Sequence, residues 1–201
     1  MKNMMERYHN LLNLIRDEMQ KSSNATESRF EAFNNLISFL ESNTDWLTAP
    51  ASTKYHNSFK GGLLCHSINV TEIAYKTSDV FAPDIDKESI LLTGLLHDCG
   101  KCGQYIMKEP TEKQKQYGYP GSIVYNNDIV WMEHEARSIK LITTFMPLTD
   151  YEFAAILYHN EPQNGDTHSN FKRNRLMSIL QFADYWTTLY GEEGSGSGKD
   201  I

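Results

Sequence analysis

Cysteine is scarce in this chain: Cys65, Cys99 and Cys102 are the only three in 201 residues. That number cannot build a disulfide framework, so a reducing cytosol is the expected compartment. Cys99 and Cys102 form a C-x-x-C, but there is no second such pair and no thioredoxin-like context, so packing is their expected role. Long apolar runs are missing too. None approaches the roughly 18 residues that a membrane-spanning helix requires, and no membrane role is expected. Nor is there an excess of basic charge. Lys and Arg number 19 against 26 Asp and Glu, a formal charge of −7, which argues against a protein built to coat nucleic acid. The first residues, MKNMMERYHNLLNLIRDEMQ, lack the apolar core and cleavage site of a secretory signal. These absences leave a cytoplasmic globular chain, 40% hydrophobic, of one main domain with an accessory segment.

What is present is mostly helical periodicity. Met5, Tyr8, Leu11, Leu12, Ile15 and Met19 mark one amphipathic helix, and Phe30, Phe33, Leu36, Ile37 and Leu40 a second, begun at Thr26. Residues 42–53 read as loop. Gly61-Gly62 opens a helix to about Tyr75, and residues 87–97 form another. Around 103–130 the periodicity fails, and KQKQYGYPGSIVYNND suggests a small hairpin or ordered loop rather than helix. Helical spacing returns at 133–146, at 149–159 and at 172–190, and the Gly/Ser-rich end 191–201 reads as a flexible tail. The expected fold is all-α with one irregular insert. Its expected organisation is N-terminal helices over 1–45, which pack on the core or pair two copies of the chain, then a main domain over 46–190.

Chemistry concentrates at His97-Asp98 in GLLHDCGK, at the polar end of an apolar helix. Burying an imidazole beside a carboxylate is costly unless something compensates, and a divalent metal is the usual partner. His66, His134, His159 and Asp184 each fall on another helical segment, at or near its inner face. Helices of this length can converge all six groups on one point. Nitrogen and carboxylate donors of this mix suit Zn, Mn, Fe, Co, Ni or Mg.

The order His66, His97-Asp98, Asp184 resembles the ligand set of the HD superfamily, all-α metal-dependent phosphohydrolases for the most part. His134 and His159 resemble the extra ligands of its two-metal members. TAPASTKYHNSFKGGLLCHSINV, LLHDCGK, HEARSIKLI and AILYHN are similar to small stand-alone bacterial and phage HD hydrolases, and GGLL-x-H more loosely to HD-type exoribonucleases. The resemblance implies an HD helical bundle and two divalent ions bridged by Asp98. His66, His97 and Asp184 would complete one site, and His134 and His159 the other. A metal-activated water would be the nucleophile, with Lys101 balancing charge on a phosphate. The resemblance implies an acidic residue where Cys65 stands, so the carboxylate that orients the first histidine is either missing or supplied from elsewhere, with Glu135 and Glu72 as candidates.

Residues around the ligands are candidates for reading the substrate. His56 is a candidate general acid, and Tyr55 and Lys60 lie beside it near the first ligand helix. Lys172, Arg173 and Arg175 form a basic cluster suited to a phosphate or a nucleic-acid backbone. Tyr117, Tyr119 and Tyr125 are able to stack on a base. The expected substrate is a small phosphate ester or anhydride, such as a nucleotide. The alternatives are a nuclease or phosphodiesterase on short single-stranded or cyclic nucleotides, and a di-iron oxygenase of the same ligand set.

Overall fold

The computed structural model describes residues 2–22, 27–118, 121–160 and 174–190. Helix α1 (Lys2–Lys21) buries one stripe, with Tyr8, Leu11, Leu12, Ile15 and Met19 at 5% exposure or less. Helix α2 (Glu27–Asn43) answers with Phe33, Leu36, Ile37 and Leu40. The expected start of that helix at Thr26 falls outside the described residues. Trp46, fully buried in the following loop, donates from Nε1 to the Tyr8 hydroxyl at 3.2 Å and fastens the loop to α1.

Helix α3 (Gly62–Phe81) begins where the chain passes Asn57 so closely that any Cβ at Gly62 would overlap the Asn57 carbonyl. It lies against α4 (Lys87–Leu96), whose residues from Glu88 to Leu96 are all buried. A helix wrapped on every side needs no polar face, and α4 buries Ser89, Ile90, Thr93 and Gly94 besides the stripe of Leu91, Leu92, Leu95 and Leu96. The chain then tightens into a 3₁₀ turn, Cys99–Lys101. Helices α6 (His134–Phe145), α7 (Asp150–Leu157) and α8 (Arg175–Tyr190) complete the bundle, α8 packing on α3 and α7, and α6 on the 3₁₀ turn. One cluster of buried side chains runs from α1 and α2 through α3, α4 and α6, and a second joins α3 to α7 and α8. No helix among the described residues is long and apolar enough to cross a membrane.

The fold is all-α apart from a two-stranded antiparallel hairpin, β1 (Tyr105–Lys108) with β2 (Ser122–Tyr125), in the register Tyr105 opposite Tyr125. The insert is not free of helix as its composition suggests. Between the strands lies α5 (Glu112–Gln116), formed because Thr111 and Gln114 close a reciprocal capping box. Helix ends also differ from the periodicity, and α3 runs on to Phe81 rather than ending near Tyr75. α4 ends at Leu96 and α7 at Leu157, so His97 and His159 sit at and just past helix ends, and α8 begins only at Arg175 behind the Asn174 side chain, which accepts from Met177 N at 2.7 Å.

Arg29 of α2 is buried between two carboxylates, at 2.5 Å from Glu88 of α4 and 2.7 Å from Glu152 of α7. Ser89 also donates to Glu152, at 2.8 Å. This network fixes α4 and α7 to each other through a helix far away in sequence.

Candidate metal centre

All six expected ligands converge. Asp98 is the hub, and its two oxygens face different partners. Oδ2 lies 3.4 Å from His66 Nε2 and 3.5 Å from His97 Nε2, while Oδ1 lies 3.3 Å from His134 Nε2 and 3.6 Å from His159 Nε2. Asp184 stands 3.1 Å from His66. Donor atoms fall into groups of three within 4.8 Å of one another: His66, His97 and Asp98; His97, His159 and Asp184; Asp98, His134 and His159. The floor is dry, with the side chains of His66, His97, Asp98 and His159 at 2% exposure or less. Asp184 at 20%, His134 at 14% and Lys101 at 11% mark the side open to solvent.

The rings are aimed by their other nitrogen. His97 Nδ1 is 2.8 Å from the Gly94 carbonyl and His159 Nδ1 is 2.7 Å from that of Ile156. A carbonyl only accepts, so each Nδ1 carries the proton and each Nε2 turns a lone pair inward. His134 Nδ1 faces Glu135 at 3.3 Å. His97 Nε2 and Asp98 Oδ1 are nevertheless buried without a well-formed hydrogen bond. Buried polar atoms seldom stay so unless a further partner is expected, and a cation among imidazoles and carboxylates fits both.

Charge states agree with that fit. Burial pushes His97 down to about 4 and His134 down to about 3. Burial opposes the Asp98 charge, but the Lys101 ammonium and neighbouring imidazoles outweigh it and hold the carboxyl well below its usual range. Asp184 is likewise lowered against burial, chiefly by its hydrogen bond with His66. His159 moves the other way. Burial works against its charged form, yet the negative charge of Asp98 prevails. At neutral pH the cluster offers ionised carboxylates with neutral His97 and His134, the forms that bind metal.

Residues 63–189 match the family model of the HD domain. The chain belongs to the HD domain family. Members of the family bind divalent metals, and the His/Asp groups described above are able to hold them. Among curated proteins, a dihydroneopterin 2′,3′-cyclic phosphate phosphodiesterase of Methanocaldococcus jannaschii is 42% identical over 65 residues. That segment is 30% of this chain and 26% of the archaeal protein. No solved structure matches.

The HD turn is braced from behind by α6. Gly100 N donates to Ser138 Oγ at 2.8 Å, and Arg137 donates to the Gly100 and Cys102 carbonyls at 2.8 and 2.9 Å. The sequence reading missed Arg137 and Ser138, although both lie within the HEARS segment, one turn after His134. Lys101 is not a solvated residue beyond a helix end, because its Nζ is 2.6 Å from Asp98 Oδ2. Burial disfavours its charge, but Asp98 raises its pKa overall. Cys99 and Cys102 are buried thiols that desolvation pushes upward, Cys102 to about 12, as packing residues would be.

The outer candidates divide. The half-buried His56 ring is 5.2 Å from that of His66, at the edge of the cluster. Tyr55 and Lys60 are exposed on the same loop. Arg175 is not brought to the cluster; it pairs with Asp84 on the surface, nine residues before Asp184 and roughly 13 Å along α8. Lys172, Arg173 and Tyr119 lie outside the described residues. Tyr117 is 66% exposed, and Tyr125 stacks on Tyr105. Of the two acids considered in place of the one expected at Cys65, Glu135 faces His134 rather than the first histidine, His66, whereas Glu72 is taken by Arg7 at 2.9 Å.

Proposed function

We propose that this chain is a two-metal phosphohydrolase that cleaves a phosphoester or phosphoanhydride of a nucleotide or related small phosphate. The carrying observation is the division of Asp98, one oxygen towards His66 and His97, the other towards His134 and His159. In this reading His66, His97 and Asp184 would hold one divalent ion and His134 and His159 a second, with Asp98 shared between the two sets. Ions held there would supply Lewis acidity and lower the pKa of a water.

The protein groups then have separate tasks. Asp98, held ionised, keeps its charge between the two histidine pairs. Lys101 neutralises part of that charge and, at the open side, balances negative charge that grows on a phosphate in the transition state. His56, half-buried at the edge of the cluster, is placed to protonate a leaving oxygen. Residues 46–190 form the catalytic unit, supported by the helices before it.

The archaeal relative's name gives a cyclic phosphodiester as its substrate, which supports cyclic and other small phosphodiesters as the first compounds to try. The test is protein loaded in turn with Mn, Fe, Co, Ni, Zn or Mg and offered nucleotides, 2′,3′-cyclic and 3′,5′-cyclic nucleotides and short single-stranded oligonucleotides. The expected result is ester cleavage of a small phosphate that Asp98→Ala abolishes. Full turnover by Asp98→Ala, or dioxygen consumption with coupled-iron spectra and no hydrolysis, would overturn the reading.

A further inference from the structure

Two adjoining cavities of about 390 and 410 Å³ lie along α6 where it braces the HD turn, and Met132 and Arg137 line both. Among the described residues none of the six candidate ligands lines either. Each volume falls within the roughly 300–1,000 Å³ of small-molecule sites. Residues 126–132 form one wall, linking β2 to α6 with no helix or strand of their own. Asn126 ties the start of that segment to Gly103 and Gln104, both at 2.9 Å, and α6 takes up its end. Between these anchors the apolar run Ile129 to Met132 has no periodic face to turn inward, and Trp131 is left 76% exposed.

The smaller cavity is cationic. Arg137 spends Nε and Nη2 on the Gly100 and Cys102 carbonyls, which leave its charge uncompensated, and the exposed Lys140 follows one turn on, roughly 4.5 Å along the helix. Among the described residues neither cation pairs with a carboxylate. No described carboxylate lines either cavity, although acids outnumber bases 26 to 19 in the chain. The cavities beside the hairpin and beside the start of α8, by contrast, take in Asp128 and the pair Asp84 and Asp86. The larger cavity offers a flat surface and amides. Among the described residues Trp131 stacks on no other ring and Asn127 makes no side-chain hydrogen bond. Gln104 Oε1 is buried without a partner, so that oxygen loses no hydrogen bond if the amide turns to a ligand.

We propose that the two cavities form a second site, separate from the metal centre, that takes a nucleoside monophosphate, with its phosphate at Arg137 and Lys140 and its base on Trp131. The proposal does not rest on the phosphohydrolase reading. A phosphate dianion answers two cations one helix turn apart, where a single carboxylate leaves one of them uncompensated. A flat heterocycle covers the indole and carries donors and acceptors on its edge for Asn127 and Gln104, which an aliphatic acid lacks. Arg137 connects this site to the HD turn, since the guanidinium that meets the phosphate also holds the Gly100 and Cys102 carbonyls.

The probe is adenosine 5′-monophosphate, titrated calorimetrically into the manganese-loaded full-length protein. Trp131→Ala is expected to bind it about tenfold more weakly, the loss of one base–aromatic stack, and Lys140→Gln roughly threefold more weakly, the loss of one exposed charge contact. Both side chains are exposed, so both variants should keep the wild-type metal content and melting temperature. Asp98→Asn, which keeps the side-chain shape while altering the hub of the metal centre, should retain the wild-type nucleotide affinity. Absence of binding to the wild type, or unchanged affinity in either Trp131→Ala or Lys140→Gln, would overturn the proposal. So would loss of binding by folded Asp98→Asn protein, which would assign the nucleotide to the metal centre instead.

Discussion

Replacing Gly100 with Ala tests whether the metal centre depends on contact between the HD turn and α6. An alanine Cβ there would lie 2.7 Å from Arg137 Cβ and closer still to the His134 carbonyl oxygen and the Ser138 amide nitrogen. Two of these three atoms are backbone of α6 and cannot rotate away, so the turn and the helix must part by roughly 1 Å, a displacement that costs on the order of 100-fold in rate when it falls on reacting groups. The parting also stretches the Gly100–Ser138 and Arg137–Gly100 hydrogen bonds, both 2.8 Å. Overpacking of this kind costs about 1–3 kcal/mol, little enough for the fold to survive. Asp98 and Lys101 move with the turn and His134 with the helix, so the Oδ1 side of the hub opens while the Oδ2 side keeps its shape. The expected outcome is a folded Gly100→Ala protein that loses metal from the His134 side first, together with most of its turnover. Metal content by mass spectrometry, a thermal melt and ester cleavage read the three quantities on one preparation. Wild-type metal content and turnover in that variant would refute the reasoning.

Three other perturbations probe different parts of the molecule. Arg29→Met strands Glu88 and Glu152, both fully buried, and should cost about 3–5 kcal/mol in urea unfolding, with Glu88→Gln and Glu152→Gln recovering much of it; wild-type stability in the single variant would contradict this. Glu135→Ala releases His134 Nδ1 and should weaken metal affinity roughly 10–100-fold in competition with a chromophoric chelator, and unchanged affinity would count against its orienting role. Metal-free protein should melt at lower temperature as pH falls from 6.5 towards about 4, because the unfolded chain takes up protons that folded His97 and His134 refuse. His159 has the opposite sign, stabilising below 6.5, and offsets part of the loss; a melting temperature that rises on acidification would refute the balance.

That the six candidate ligands would come together was legible in the sequence because each borders an apolar periodic segment, and periodicity reports which face turns inward. Legibility ended where partners are distant or local rules compete. Arg29 meets Glu88 across 59 residues and Glu152 across 123, and no local pattern signals such a pair. Helix α5 was hidden by the β-branched and Tyr-Pro-Gly residues after it, although its Thr111–Gln114 capping box stands in the sequence. The basic stretch before α8 suggested an anion site, yet Arg175 found a carboxylate at Asp84, the commoner fate of a surface arginine. That Lys101 is held against Asp98 could not be read from spacing, because exposure separates such a lysine from a solvated one.

Helix ends explain how three of the candidate ligands, His97, His134 and His159, are aimed. His97 caps the C-terminus of α4, Asp98 follows in the turn, His134 is the first residue of α6, and His159 lies two residues past α7. The last carbonyls of a helix have no partner within it. Gly94 O and Ile156 O are two such groups, and each accepts from the Nδ1 of a histidine three residues on. The backbone thereby does for His97 and His159 what an outer carboxylate does elsewhere, fixing tautomer and ring direction together. At an N-terminus the available groups are donors instead, so His134 needs a side chain, and Glu135 in the first turn of α6 supplies it, where the helix dipole also favours a negative charge. On this argument, of His97, His134 and His159 only His134 depends on an outer carboxylate, Glu135, and the positions around Gly94 and Ile156 matter for the backbone path they hold.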